Sequence, residues 1–443
     1  MIELLLWTTL VIAAGGALYA YAGSRDVFHP LMFLSPMLIF LYFWMPLKLN
    51  ASGGLDGYFQ RDQLVFVQSW NTLGVLCFVI GCLSVGCRLP YTAGPPLGRQ
   101  PEGVGRTLLW GGALAGMAGL AAWSISIVNV GGLREAFSRA YSGGWDDSGY
   151  IRDGTLLMYP GFLLVAMAIS LWRIRITSLL LLVLFMAPWM IQAWFTSRRG
   201  PTFMIAVVLA MTWFLNRGTR PPLLLTVGAG SLVGLLMLFL VSNRGAIYMG
   251  SDSDLTTDVT DIVERPDTGN EYIYGAGSML SAEQTLKFFG GRRYLAEMFI
   301  RPIPSAVWPN KYEDIGLPEL THNAGTAEGL NETLGWAGAD GAAPGFIADL
   351  WVEFRWFSMP ALFLLGLFYG RLWRKAQLQG GPWIAQYIVV ASLSVYLVMQ
   401  TMEAVIFRYL LMSIPIWITW YVAQRQPAGW PAPDPLEIAY DGR

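Results

Sequence analysis

NRGAIYMGSDSDLTTDVTDIVERPDTGNEY, residues 243–272, opens the only long polar segment of the chain. That segment runs from Asn243 to Ala342, with eight apolar runs before it and three after it. A spanning helix needs about 20 apolar residues. On that basis the runs are 2–22, 31–47, 64–86, 107–129, 155–172, 178–196, 202–216, 223–242, 356–373, 382–400 and 404–422. The expected architecture is an all-α polytopic membrane protein of about eleven transmembrane helices, interrupted once by an external segment that folds over the helix ends. Residues 1–242 would carry eight spans, 243–342 the external segment with short helices, 343–425 three spans, and 426–443 a cytoplasmic tail.

Composition places the chain in a bilayer independently of any motif. It is 54% hydrophobic and 13% charged, against about 25% charged in ordinary soluble domains. The 19 Trp, 19 Tyr and 23 Phe suit a protein whose indole and phenol rings settle at the water interface. A net charge of −1 argues against a nucleic-acid partner. Cys77, Cys82 and Cys87 all lie in or at the end of one apolar run, which leaves neither a disulfide framework nor a zinc site. The first run has no basic n-region and no small-residue cleavage site, so it is expected as a retained helix rather than a signal peptide.

Short basic loops remain on the cytoplasmic side. Arg88, Arg99 and Arg106 mark one such loop, Arg173 and Arg175 a second, Arg217 and Arg220 a third, and Arg371, Arg374 and Lys375 a fourth. An even number of spans separates each from the next, so one face holds them all, with the N-terminus outside and the C-terminus inside. The opposite face receives 48–63, 130–154, 197–201, 401–403 and the long polar segment. Gly-rich runs such as GGALAGMAGLAA, 111–122, are expected to let helices approach closely. The loop 131–154, with Arg134, Arg139 and Arg152 among acidic and aromatic residues, reads as a solvated cap or a sugar-contacting surface.

TSRRGPT, 196–202, sets Arg198 and Arg199 between two apolar runs. Gly200 breaks the outgoing helix and Pro201 suits the first turn of the next. The unpaired N–H groups and positive dipole end of that helix would then stand beside two guanidiniums that donate bidentately to phosphate oxygens, as a membrane-level diphosphate requires. The alternative is that the pair snorkels to lipid headgroups.

Three blocks stand out within the polar segment. SDSDLTTDVTDIVE, 251–264, contains Asp252 and Asp254 but no surrounding strand–helix alternation, and reads as a solvated loop. YGAGSMLSAEQTLKFFGGRRYLAEMFIRPIPSAVWPNKY, 274–312, has the periodicity of two short amphipathic helices followed by a Pro-punctuated turn. It carries Arg292, Arg293, Arg301 and Lys311 with Tyr294, Trp308 and Tyr312 interleaved, a cluster suited to a diphosphate or a glycan. LTHNAGTAEGLNETLGWAGADGAAPG, 320–345, is Gly-rich and holds His322.

Charges within spans are the remaining candidates, because each costs about 2.5–3.5 kcal/mol on insertion scales. They gather at the outer ends of the last helices: Asp349, Glu353 and Arg355 before the ninth, and Glu403 with Arg408 at the eleventh. Glu403 and Arg408 stand about 140° apart around a helix, so each should find its partner elsewhere. Arg408 is expected to face the same cavity as Arg198 and Arg199, or else to join a structural ion pair that fixes helix packing. His29, followed by Pro30 in a cytoplasmic loop, is expected to be structural.

SRRGP between two helices, RPIPSAVWPNK before a Gly-rich loop, and PGFIADLWVEFRWFSMPALFLLGLFYG together resemble the O-antigen polymerases, or oligosaccharide repeat-unit polymerases. The resemblance covers roughly 150–420, and RPIP-Trp-Pro-x-Lys is its most specific part. It departs at Asp349 and at Phe354-Arg355, where the family tends to show Glu and a Phe-Gly pair. The family resembles the multi-spanning GT-C-like glycosyltransferases that use lipid-linked donors. The resemblance implies joining of oligosaccharide units carried on polyprenyl diphosphate at the outer face of a bacterial inner membrane. The implied partners are a lipid-linked donor and acceptor, membrane lipid and a chain-length regulator protein. Such a donor is already activated, so the enzyme must stabilise the departing diphosphate and deprotonate an acceptor hydroxyl. Arg198 and Arg199, with Arg301 or Arg408, suit the first task without a metal or other cofactor. His322, or one of Asp349, Glu353 and Glu403, suits the second. An O-antigen ligase would need the same groups and differ in acceptor; a flippase is the non-enzyme alternative, but matched broken repeats are not visible in the two halves.

Overall fold

The computed structural model describes residues 1–87, 102–138, 149–171, 175–195, 199–243, 247, 271–317 and 343–425. Every regular element among the described residues is helical. Ten of these helices are long and apolar enough to cross a membrane, and a shorter apolar one covers Gly200–Asn216. The chain is a multi-pass helical membrane protein. In order, α1 is Ile2–Ser24, α2 Pro30–Ser52, α3 Arg61–Leu83 and α4 Glu102–Asn129. Ile151–Leu171 forms α5, Ile176–Phe195 α6, Arg199–Asn216 α7 and Leu223–Ser242 α8. The polar segment contributes α9, Glu271–Thr285, and α10, the short helix Arg292–Leu295 continued by a π turn Ala296–Ile300. Gly345–Phe354 is α11, Ser358–Gln379 α12, Pro382–Met399 α13 and Met402–Arg425 α14.

Each of the eleven apolar runs is thus a helix, as lipid demands of a backbone that can pair only with itself. Local departures have local causes. Pro46 cannot donate to the Tyr42 carbonyl one turn back, and the helix widens there into a π turn, Phe40–Trp44. The side chain of Gln68 donates to the Tyr42 carbonyl instead, at 3.0 Å. Small residues in 111–122 do allow close approach. A Cβ on Gly161 of α5 would sit 2.4 Å from the Gly116 Cα of α4, so only glycine permits that crossing.

The helix ends sort to two faces. On one, the loop before α2 meets the ends of α3 and α12 and the turn before α8. Asp26 accepts from Trp373 Nε1 at 2.9 Å and Gln377 Nε2 at 2.9 Å and pairs with Arg220 at 2.8 Å. Arg374 donates to the Val85 carbonyl at 2.6 Å. This face carries Arg217, Arg220, Arg371, Arg374 and Lys375, as the alternation of basic loops requires. Arg88, Arg99 and Arg173 lie outside the described residues. His29 is structural: buried, it caps α2 by accepting from Leu31 N at 3.3 Å and packs edge-on to Trp373. Burial without a charged partner holds its imidazole down at about 3.

Part of the polar segment is packed into the bundle. α9 packs against α3 and α11 and is buried on every side from Glu271 to Leu280, whereas the sequence suggests an amphipathic surface helix there. Its small residues Gly275, Ala276, Gly277 and Ser278 admit close neighbours, and Tyr272 satisfies its hydroxyl on Gln68 at 3.1 Å. The ninth span also begins earlier than its apolar run. Nearly all of α11 is buried, and α11 is separated from α12 by a single tight turn, Arg355–Phe357, at a left-handed Arg355 with φ +50. By contrast α8 is peripheral, with 6% of its apolar window buried, and takes no part in the site.

Candidate functional site

Asp349 and Glu353 lie one turn apart on α11, on the same face and both buried. Like charges at that spacing repel, so the fold needs a cation between them. The left-handed Gly291, φ +86, starts α10 and aims Arg293 into this gap. Its guanidinium bonds Asp349 Oδ1 at 2.8 Å, forms a short hydrogen bond to Glu353 Oε1, and faces Glu403 Oε2 on α14 at 3.7 Å. The backbone completes the pairing. Asp349 Oδ2 accepts from the Tyr294 hydroxyl at 2.6 Å and from Met402 N at 2.9 Å. Glu353 Oε2 accepts from Gly291 N at 2.6 Å. The carbonyls of Val352 and Glu353, orphaned at the end of α11, accept from Phe289 N and Gly290 N at 3.2 and 2.7 Å.

Burial alone would lower the Arg293 pKa, but Asp349 and Glu353 outweigh it and hold the guanidinium raised and permanently charged. Burial, then the Asp349 carboxylate, pushes the Tyr294 phenol well above its usual range, so it donates and does not ionise. A second ion group adjoins the first. Arg301 bonds Glu297 at 2.7 Å and Asp153 of α5 at 3.0 Å, and lies 3.9 Å over the Phe407 ring of α14. Its burial is likewise offset, by Glu297 and Asp153, and its pKa is raised. Around these two arginines stand Asp153, Glu297, Asp349, Glu353 and Glu403, so this end of the bundle is strongly acidic in its interior.

A cationic site adjoins it. Arg408 of α14 donates to the Ala404 carbonyl at 2.7 Å and lies 4.5 Å from the Tyr396 ring centroid of α13. The Tyr396 hydroxyl in turn packs onto the first turn of α7, where a Cβ on Gly200 would fall 2.0 Å from it. One aromatic ring, Tyr396, thus touches both Arg408 and the first turn of α7. Glu403 and Arg408 share α14, about 7.5 Å apart along its axis, and they reach different partners, as their angular separation implies.

The other candidates are placed as follows. Arg198 and His322, with Asp252 and Asp254, lie outside the described residues; Arg199 begins α7. Lys311 is buried, and its ammonium donates to the carbonyls of Ile300, Arg301 and Ile303 at 3.3, 3.0 and 2.6 Å, clasping the Pro-rich turn. The Trp308 indole donates to Asp314. Arg292 is exposed, turned away from the cluster that its neighbour Arg293 holds together. Arg355 makes a bidentate pair with Glu283 at 3.0 and 2.8 Å. Glu297, Asp153 and Tyr396 are additions. Only Glu297 had a local signal, being four residues before Arg301 on one helical turn.

No family model, curated protein or solved structure matches this chain. The likeness to repeat-unit polymerases accordingly rests on the sequence motifs alone.

Proposed function

We propose that this chain is a membrane-embedded, GT-C-like glycosyltransferase that polymerises oligosaccharide units carried on a polyprenyl diphosphate. The acidic end of the bundle would face the periplasmic side of a bacterial inner membrane. The observation that carries the reading is the assembly on α14. Arg408 packs on the Tyr396 ring, whose hydroxyl lies on the first turn of α7, and Glu403, five residues earlier, borders the carboxylate cluster. A lipid diphosphate needs the first arrangement and a nucleophilic hydroxyl the second.

Among the three carboxylates on Arg293, burial selects the base. The side chains of Asp349 and Glu353 are 0% exposed, whereas Glu403 is 19% exposed, 3.7 Å from the guanidinium and hydrogen-bonded to Glu297. On this reading the acceptor hydroxyl gives its proton to Glu403 and its oxygen bonds to the anomeric carbon. The bond from that carbon to the phosphate oxygen breaks, and the electron pair leaves with the diphosphate. Arg408, the α7 N–H groups and the Arg198-Arg199 pair take up that charge. Arg293 holds the base in place and Arg301 fixes α10 against α5 and α14. A chain-length regulator is the protein partner that such an activity implies.

The test uses cells lacking the native copy and reads polymer length, with membrane level checked by blot. Glu403→Gln, Arg408→Lys and Arg199→Lys should each reach normal levels and yield little polymer, because lysine keeps the charge but loses the planar fork. Wild-type polymer from all three would remove the site from this place.

A further inference from the structure

We propose that the segment 286–299 is a membrane-interface anchor that lies in the headgroup layer and binds anionic phospholipid. This segment belongs to none of the spanning helices, yet it exposes large apolar side chains: Leu286 is 67% exposed, Leu295 55% and Phe299 63%. Leu286 also adopts φ +52 where α9 ends. A helix normally exits through glycine or asparagine in that conformation, and a leucine there is strained. The strain turns an apolar side chain outward instead of burying it.

What covers this surface follows from where it is fastened. The Phe289 and Gly290 amides bond the last carbonyls of α11, and a Cβ on Gly291 would lie 3.1 Å from the Phe354 ring. Arg355 pairs with Glu283 and sits 5.3 Å from the Phe288 ring and 5.2 Å from that of Trp356. The segment is thus bolted to the junction where α12 begins, and there the lipid-facing surface of α12 starts with Phe357, 76% exposed. Its apolar side chains continue the lipid-facing surface to the boundary depth. Between them stand the exposed cations Lys287 and Arg292. Apolar side chains interleaved with Lys and Arg are the composition of a helix that lies in the interface, with cations reaching headgroup phosphates. The same attachment sets the depth of Arg293, which would lie just beneath the headgroups.

The experiment measures depth and does not depend on catalysis. Nitroxide labels are placed through Leu295→Cys and Phe299→Cys in a chain whose three native cysteines, Cys77, Cys82 and Cys87, are replaced by serine. The protein is reconstituted in phosphatidylcholine vesicles with and without phosphatidylglycerol. Leu364→Cys, on the lipid-facing side of α12, and Glu313→Cys, exposed beyond the segment, give the two reference environments. Labels at 295 and 299 should collide with oxygen as at 364, and Lys287→Gln with Arg292→Gln should reduce their depth more when phosphatidylglycerol is present. Collision with a water-soluble nickel chelate as at 313 would overturn the proposal, as would shielding from both reagents by a second protein surface. A depth unaffected by phosphatidylglycerol would remove the anionic preference. In the cysteine-retaining chain, benzoylphenylalanine in place of Phe299 should add a phospholipid mass on photolysis, and a protein adduct would again refute the anchor.

Discussion

Replacing Arg293 with methionine isolates the group on which this end of the bundle depends. Methionine has similar length and packs well among apolar neighbours, so the change removes charge and hydrogen bonds more than volume. Asp349 would keep the Tyr294 hydroxyl and Met402 N, but Glu353 would keep only Gly291 N and Glu403 would lose its cation. Both lost partners on α11 are fully buried, and breaking a buried pair by removing one member costs about 3–5 kcal/mol because the other charge is left uncompensated. Glu353→Gln retains an acceptor for Gly291 N while deleting one of those charges. The double variant should therefore cost less than the sum of the two single changes, by about 1–3 kcal/mol. Glu283→Gln provides the contrast. Its pair with Arg355 is 36% and 20% exposed, so its loss should cost no more than about 1 kcal/mol. The assay is unfolding in mixed micelles by titration with dodecyl sulfate, followed by tryptophan fluorescence. A cost for Arg293→Met within about 1 kcal/mol of wild type, or strict additivity with Glu353→Gln, would refute the view that three carboxylates depend on one guanidinium.

Two further outcomes use the same titration. Gly200→Ala sets a Cβ 2.0 Å from the Tyr396 hydroxyl, so the ring must move off Arg408; the expected loss is about 1–3 kcal/mol, and it should disappear in a Tyr396→Ala background, where nothing is left to displace. His29 titrates at about 3 in the fold, below its unfolded value of 6.5, so the unfolded chain takes up a proton that the folded chain refuses. Its contribution is present above the unfolded value and is lost as pH falls from there toward 3, at about 1.4 kcal/mol per unit. His29→Asn keeps a capping acceptor and should flatten that part of the profile by about 2 kcal/mol between about pH 7 and about pH 5, whereas parallel profiles would show that His29 is not the group responsible.

The membrane helices were legible because lipid imposes one rule on backbone and side chain alike, and every apolar run obeys it. The pairing of basic loops was legible for a similar reason: Arg217, Arg220, Arg371 and Arg374 all lie on one face because spans alternate. The half-buried architecture of the polar segment was not. α9 reads as a moderately polar stretch with small residues, and nothing in its own sequence says that α3 and α11 enclose it. Its burial depends on partners about 200 and 70 residues away, such as Gln68 for Tyr272 and α11 for its glycines. Hydropathy of a window cannot register contacts at that separation.

The site divides along the same line. Asp349, Glu353 and Glu403 were visible one by one, because a carboxylate at the end of an apolar run is costly wherever it points. Their convergence on Arg293 was hidden, since the bonds join residues 56 and 60 positions apart and Glu403 comes from yet another helix. Helix geometry did separate Glu403 from Arg408, and the fold uses that separation: one turns to Arg293, the other to Tyr396. Tyr396 escaped notice because it looks like any aromatic residue at a membrane boundary. Its distinctive property is a neighbour without a side chain: Gly200 reads in sequence as a helix breaker, yet in the fold it leaves room at the start of α7 for the hydroxyl of Tyr396, the ring on which Arg408 packs.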